Sequence, residues 1–350
     1  MPTLFDPITI GDITLKNRII MAPLTRSRAS EGRVPNALMA KYYEQRATAG
    51  LILSEATAVT PHGVGYADTP GLWSDEQVEG WKQITAAVHA KGGVIFAQLW
   101  HVGRISDPSF LNGEPPVAPS AIAADGHVSL LRPQRPYPVP RALETEELAG
   151  IVAAYKKAAE NAKKAGFDGV EIHGANGYLL DQFLQSKTNL RTDNYGGSVE
   201  NRARLMLEVT DACIEVWGAN RVGMHLAPRR DSHDMGDANP AETFGYVARE
   251  LGKRKIAFIF TREALGEDSL SPLIKKEFGG VFIANEKMDK VVAQELLDSG
   301  KADAIAFGKD YISNPDLVAR LQANQPLNKW NADTFYAVGA TGYTDYPALA

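Results

Sequence analysis

Short apolar runs alternate with longer amphipathic stretches along nearly the whole chain. Runs of about five residues bounded by turn formers have the length of strands, and apolar positions repeating at three and four have the spacing of helices. Eight strand-like runs are legible: Arg18 to Ala22, Leu51 to Glu55, Val94 to Leu99, Gly169 to His173, Val222 to Leu226, Ala257 to Thr261, Gly280 to Ala284 and Ala304 to Gly308. The clearest helix starts near Thr145, where Leu148, Ile151, Val152, Tyr155, Ala159 and Ala162 share one face. Lys163, Lys164 and Gly166 close it, since cations and a glycine suit a helix C-terminus. Helix starts are marked by Ser74 with Gln77, a capping box, and by Asn239-Pro240, Ser271-Pro272 and Asn314-Pro315.

Eight strands with intervening helices predict a closed (β/α)₈ TIM barrel. An open doubly wound sheet would want a Gly-x-Gly-x-x-Gly turn after its first strand, and Arg18 to Arg28 contains no glycine. Before the first strand, Ile8 to Leu15 alternates around Gly11-Asp12 and predicts an N-terminal hairpin that plugs the barrel floor. Residues 105–140 lengthen the connection after strand three and hold Pro108, Pro115, Pro116, Pro119, Pro133, Pro136, Pro138 and Pro140. A connection of that length predicts a capping or lid insertion. The expectation is one domain over residues 1–350 with this insertion on the side where barrel enzymes keep their active sites.

The chain of 350 residues is 44% hydrophobic and 23% charged, which is the balance of a water-soluble globular protein. Its 37 basic residues are outnumbered by 42 acidic ones and form no long run, so nucleic acid is excluded as a partner. No apolar run approaches about 18 residues, and the first residues lack the basic and apolar regions of a signal peptide, so the expectation is a cytoplasmic protein without a membrane partner. Cys213 is the only cysteine: it forms no internal disulfide and no zinc or iron–sulfur set, and no metal is expected. Redox chemistry would have to come from a cofactor.

Polar residues at strand ends are the candidates for chemistry in a barrel. Thr25 follows the first run, Gln98 ends the third, His173 ends the fourth, His225 lies in the fifth, and Ala284-Asn285 and Gly308-Lys309 follow the seventh and eighth. Singly, each reads equally well as a hydrogen-bonded loop anchor. His173-Gly174-Ala175-Asn176-Gly177-Tyr178 is more specific. His173 and Asn176 are three apart and can face one ligand oxygen, and Tyr178 offers a protonated phenol. An ideal helix would turn Tyr178 away from Asn176, so the cluster predicts an irregular loop, which Gly174 and Gly177 permit. Segments after strands seven and eight are the usual phosphate site of a barrel, with Lys309 as cation.

Met21-Ala22-Pro23-Leu24-Thr25-Arg26, Gln98-Leu99-Trp100-His101-Val102-Gly103-Arg104, the His173 to Tyr178 cluster, Tyr195-Gly196-Gly197-Ser198-Val199-Glu200-Asn201-Arg202, Ala306-Phe307-Gly308 and Gly342-Tyr343-Thr344-Asp345-Tyr346-Pro347 resemble the Old Yellow Enzyme family of flavin ene-reductases. Within it the chain is most similar to bacterial xenobiotic, glycerol trinitrate and N-ethylmaleimide reductases. The resemblance implies a barrel holding FMN non-covalently, reduced by NADPH or NADH and reoxidised by small electrophilic substrates: α,β-unsaturated carbonyls, maleimides, nitroalkenes and nitrate esters or nitroaromatics. By that resemblance Thr25 meets the flavin C4 carbonyl, Gln98 holds the pyrimidine edge, Pro23, Leu24 and Ala58 line the ring, and Ala284, Asn285, Gly308 and Lys309 grip the phosphate. His173 and Asn176 bind the activating oxygen, Tyr178 protonates carbon, and Tyr66, Trp100 and Tyr336 shape the substrate pocket. A monomer or weak dimer is expected.

Two positions depart from the family. His225 stands where arginine is common, facing the flavin N1 and O2, and is expected to stabilise the reduced anion less; Arg221 lies four residues back along a strand, about 13 Å away. Lys309 stands where relatives have arginine. Arg229 and Arg230, after strand five, are further candidates for the cofactor. The alternatives are another FMN barrel, of the dihydroorotate dehydrogenase kind, and a flavin-binding redox sensor or scaffold without turnover.

Overall fold

Eight parallel strands form a sheet whose last strand pairs back with its first. A computed structural model describes residues 1–229 and 232–349. The strands are β1 (Ile19–Met21), β2 (Leu51–Leu53), β3 (Ile95–Trp100), β4 (Gly169–His173), β5 (Val222–Leu226), β6 (Phe258–Arg262), β7 (Val281–Asn285) and β8 (Ala304–Phe307). Ile20 pairs with Ala306 across the β8–β1 seam, and Ile52 pairs with Ile95 between β2 and β3, so the sheet closes without an edge. The (β/α)₈ TIM barrel expected from the alternation is therefore the fold.

The strands lie inside the predicted runs or within one residue of them. Their neighbours explain why the apolar residues fall where they do. Ile20, Leu51, Phe96, Phe258, Ile283 and Ala304 fill the barrel interior, and Ile8, Ile10 and Leu15 close its lower end. Burying each large aliphatic or aromatic side chain is worth roughly 1.5–3 kcal/mol. The lower plug is the predicted hairpin, Ile8–Ile10 against Ile13–Leu15. Its turn needs glycine: Gly11 has φ +60°, and a Cβ there would come within 1.9 Å of the Asn220 carbonyl oxygen. Arg221 pins the turn by pairing with Asp12 and donating to the Asp168 carbonyl at 2.9 Å. It thus belongs to the barrel floor.

Helices α1 (Ala37–Gln45), α2 (Asp75–Ala90), α3 (Leu148–Lys164), α4 (Leu179–Leu184), α5 (Val199–Trp217), α6 (Pro240–Arg254), α7 (Ser271–Phe278), α8 (Lys290–Asp298), α9 (Lys309–Ser313) and α10 (Leu317–Gln322) cover the outside. The Ser74–Gln77 capping box starts α2, and Asn239 caps α6. Two starts differ from expectation. Ser271 is the first residue of α7, with Glu263 accepting from its backbone N–H and hydroxyl, and Asn314-Pro315 forms a link ahead of α10. In both places a side chain elsewhere satisfies the donors that a local cap would have taken. Cys213 is buried under α3, on α5.

The insertion leaves the top of β3. A short parallel pair, Val117–Ala118 with Arg141–Ala142, closes its base. Ala124, Val128 and Tyr137 bury against Trp100, Val102 and Ile105, so its inner face meets the upper end of β3. The C-terminal segment returns across the same end of the barrel. Tyr343 stacks on Tyr42 with ring centres 4.1 Å apart, and the Arg28 guanidinium, 4.3 Å from the Tyr343 ring centre, donates to the Thr334, Phe335, Gly339 and Thr341 carbonyls.

Candidate active site

At the C-terminal ends of the strands lies a cavity of about 550 Å³, within the range of small-molecule and cofactor sites. Pro23, Leu24, Thr25, Gln98, Trp100, His173, Asn176, Tyr178, His225, Asn285, Gly308, Lys309 and Tyr336 all line it. Residues scattered over more than three hundred positions in sequence thus meet because each follows or ends a strand.

The loop after β4 has the irregularity the cluster requires. Asn176 sits at φ +57° and Gly177 at φ +79°, so two successive left-handed residues break any helical turn before α4 begins. Asp181 at the start of α4 accepts the Gly177 N–H at 2.9 Å, and Gln182 donates to the Gly177 carbonyl at 2.8 Å. Those bonds hold the loop so that Tyr178 returns toward His173, with ring centres 5.0 Å apart and planes near perpendicular. Tyr178 also meets the Trp100 ring edge-on at 5.0 Å, and its hydroxyl lies 2.8 Å from that of Tyr66. Tyr66 itself stacks on Trp100 at 5.5 Å behind the cavity wall.

Below this group a polar chain crosses three strands. The register sets Gln98 beside Glu171 and His173 beside His225. Gln98 Nε2 donates to Glu171 Oε2 at 2.7 Å and lies 3.1 Å from His225 Nδ1. His225 stacks on His173 at 5.1 Å and takes the edge of Phe260 at 4.5 Å. Burial pushes the His173 imidazole down to about 3 and holds His225 well below the ordinary histidine range, so both rings are neutral at physiological pH. The Ala175 N–H points at His173 Nδ1, 3.3 Å away, which leaves Nε2 as the protonated nitrogen. His225 is set the same way by Gln98. Its Nε2, like Trp100 Nε1 and Asn176 Oδ1, is buried with no hydrogen-bond partner. Unpaired buried polar atoms are costly in a folded protein, and three of them around one cavity mark places where a ligand's polar atoms belong. Tyr178 is raised above the ordinary phenol range by burial and is fully protonated at neutral pH.

Two sequence-predicted residues fall outside the wall. Ala58 is fully buried in a short strand whose backbone bonds to Pro70 and Leu72, and Ala56 takes its place at the cavity. Ala284 is buried one residue below Asn285 on β7 and does not line the cavity. Arg229 is engaged elsewhere, pairing with Glu263 at 2.6 Å and with Asp268; Arg230 lies outside the described residues. Lys309 places its ammonium over the Trp330 ring, 4.7 Å from the centre.

Strand six was overlooked in the sequence. Phe260 and Arg262, two apart on one strand face, both line the cavity, and the Arg262 Nε donates to Glu286 Oε2 at 2.7 Å. The signal was present, since Arg262 is the first polar residue after an apolar run, the rule that found Gln98 and His173. Trp330 and Phe335, from the C-terminal segment, are further wall residues without any local mark.

The chain matches the NADH:flavin oxidoreductase / NADH oxidase family over residues 3–328. It is 44% identical over 355 residues to a probable flavin mononucleotide-dependent alkene reductase of Leishmania infantum, covering 98% of this chain and 96% of that one. It is 42% identical to 12-oxophytodienoate reductase 2 of Arabidopsis thaliana, covering 99% and 96%. Among solved structures, the old yellow enzyme homologue of Zymomonas mobilis is 47% identical with a TM-score of 0.97, covering 99% of this chain and 100% of that one. Morphinone reductase in complex with tetrahydroNAD is 47% identical with a TM-score of 0.96, covering 100% and 98%. The chain belongs to the NADH:flavin oxidoreductase / NADH oxidase family and, within it, to the Old Yellow Enzyme group of flavoproteins.

Proposed function

We propose that this protein is an FMN-dependent reductase of activated carbon–carbon double bonds that uses NADPH or NADH and donates the second proton from Tyr178. The observation that carries the reading is the placement of the neutral His173, Asn176 and Tyr178 on one wall of a cavity whose opposite parts carry Gln98, Thr25 and the loops after β7 and β8. The cavity suits such a cofactor: unpartnered polar atoms at His225 and Asn176 await a ligand, and Lys309 supplies a cation for a phosphate. Gln98 and His225 would hold the pyrimidine edge, Thr25 the C4 carbonyl, and Pro23, Leu24 and Ala56 the ring. Asn285, Gly308 and Lys309 would hold the phosphate, with Ala284 contributing only backbone beneath them.

FMN, when bound, takes a hydride from a nicotinamide and passes it to an electron-poor carbon. The chain's own residues do the rest. His173 Nε2 and the Asn176 amide bind one oxygen of the substrate's carbonyl or nitro group, and these bonds strengthen as negative charge develops there. Neutral imidazole suits that task, because a group pushed down to about 3 does not surrender its proton to the substrate. The Tyr178 hydroxyl holds the proton for the neighbouring carbon, and Tyr66, 2.8 Å away, orients it. General-acid help of this kind is worth about 10²–10⁴ in rate. The insertion over residues 105–140, packed on Trp100, would keep water from the top of the site within a single domain of residues 1–350. Maleimides, cyclic enones and nitroalkenes fit two donors converging on one oxygen, and nitrate esters or nitroaromatics offer a comparable group.

The purified protein should be yellow, should bleach anaerobically with NADPH or NADH, and should recover its colour on adding N-ethylmaleimide with one saturated product formed per reduced flavin. A colourless protein that binds no FMN, or a yellow one that bleaches but is not reoxidised by any of these acceptors, contradicts the reading.

A further inference from the structure

Accepting a hydride delivers two electrons and one proton, so the flavin gains one negative charge at its N1 and O2 edge. A dry cavity must offset that charge with a cation or with oriented dipoles. Gln98 is uncharged, and His225, which faces the same part of the cavity, is held neutral by burial. Glu171 lies one hydrogen bond further in and brings no positive charge in either protonation state. Lys309 follows β8 and is committed to the face of Trp330.

Arg262 stands nearer. Strand β6 pairs with β5 so that Phe260 is opposite His225, and the Phe260 and His225 rings are in contact at 4.5 Å. Two residues on, on the same strand face, Arg262 lines the cavity one layer above, beside its register partner Asn285 on β7. The guanidinium is anchored through Nε to Glu286, and among the described residues its two terminal nitrogens make no hydrogen bond. Its charge is also felt at the centre of the site: after desolvation, it helps to keep His173 and His225 unprotonated and partly offsets the rise at Tyr178.

We propose that Arg262, reaching in from β6, is the fixed cation that stabilises the reduced flavin in this protein, in place of any charge on β5. The proposal deepens the flavin-reductase reading and rests on its placing of the pyrimidine edge at Gln98 and His225. Guanidinium keeps its charge at every accessible pH and presents a planar fork, so one side of the fork can be tied to Glu286 while the other meets ligand oxygens.

The test compares oxidised and reduced FMN affinity, and the two-electron midpoint potential, in the wild type and in Arg262→Gln, Arg262→Lys and Arg262→Gln/His225→Arg. Arg262→Gln should weaken the reduced form at least tenfold more than the oxidised one, a fall of about 30 mV for a two-electron couple. Arg262→Lys, which keeps the charge, should lose less than half of that, and His225→Arg should restore the potential of the neutral variant. A potential unchanged in Arg262→Gln, or lowered equally in the lysine and glutamine variants, overturns the proposal. So does a loss of affinity confined to FMN and absent with riboflavin, which would assign Arg262 to the phosphate. Should the glutamine variant not fold, the lysine variant decides alone: a tenfold or greater relative loss contradicts the proposal, and near-wild-type potential supports it. Failure of the wild type to bind FMN defeats the underlying reading instead, and is seen before any variant is made.

Discussion

Gln98 Nε2 lies 3.1 Å from His225 Nδ1 and thereby fixes the proton of that imidazole on the opposite nitrogen, which is buried without a partner. The donor is neutral, so it can bind a ligand oxygen without answering a full charge. Replacing His225 by Arg should raise the flavin midpoint potential by about 30 mV or more, corresponding to a tenfold gain for the reduced form. Spectroelectrochemical titration checks this, and an unchanged or lower potential would show that His225 does not face the flavin.

Glu171 anchors the other end of the chain and gives the fold a pH signature. Burial pushes its carboxyl up to about 8 from 4.5, with the Gln98 amide opposing the shift. The folded protein therefore keeps this proton across a window in which the unfolded chain has lost it. Its stabilising contribution is complete below about pH 4.5 and disappears as pH rises through 8. Glu171→Gln has no proton to lose. It should match the wild type near pH 4.5 and exceed it by roughly 1–3 kcal/mol at pH 8. Denaturant unfolding at both values measures the difference, and a variant equally unstable at pH 8 rejects the assignment.

Tyr66 touches the cavity only through Tyr178. Tyr66→Phe removes the 2.8 Å contact between the two hydroxyls while keeping the stack on Trp100. The rate of enone reduction should fall about tenfold, less than the loss of the acid itself, with the nicotinamide half-reaction unchanged. A loss as large as that of Tyr178→Phe would make Tyr66 the donor.

Arg28 ties the C-terminal segment to the barrel through four carbonyls, and the same segment carries Phe335 and Tyr336 into the cavity wall. Arg28→Ala should cost about 2–4 kcal/mol, since the bonds are charge-assisted and act as one unit. Thermal unfolding reads the cost, and KM for bulky substrates should rise with it. Unchanged stability would mean that the Tyr42–Tyr343 stack alone holds the segment.

The barrel was legible because its inward residues are uniformly apolar and its helices carry their own punctuation at Ser74, Asn239 and Gly166. Gln98, His173 and Tyr178 were legible because a polar residue ending an apolar run has few other uses. Glu171 was hidden: it lies in mid-strand between Val170 and Ile172, and only the register with Gln98 gives it a partner. Arg262 was missed although it follows the same strand-end rule. Trp330 and Phe335 join the site through chain return, held by Arg26 and Arg28, and no short-range spacing encodes that contact. The choice of Ala56 over Ala58 likewise depends on a turn between β2 and α2 that periodicity does not resolve.

The most direct test follows both half-reactions of Tyr178→Phe by anaerobic stopped flow. The variant should bind FMN, be bleached by NADPH or NADH at the wild-type rate, and then be reoxidised by 2-cyclohexenone about 10²–10⁴ times more slowly. Equal slowing of both half-reactions, or reoxidation at the wild-type rate, would contradict the account of Tyr178 as the group that delivers the proton.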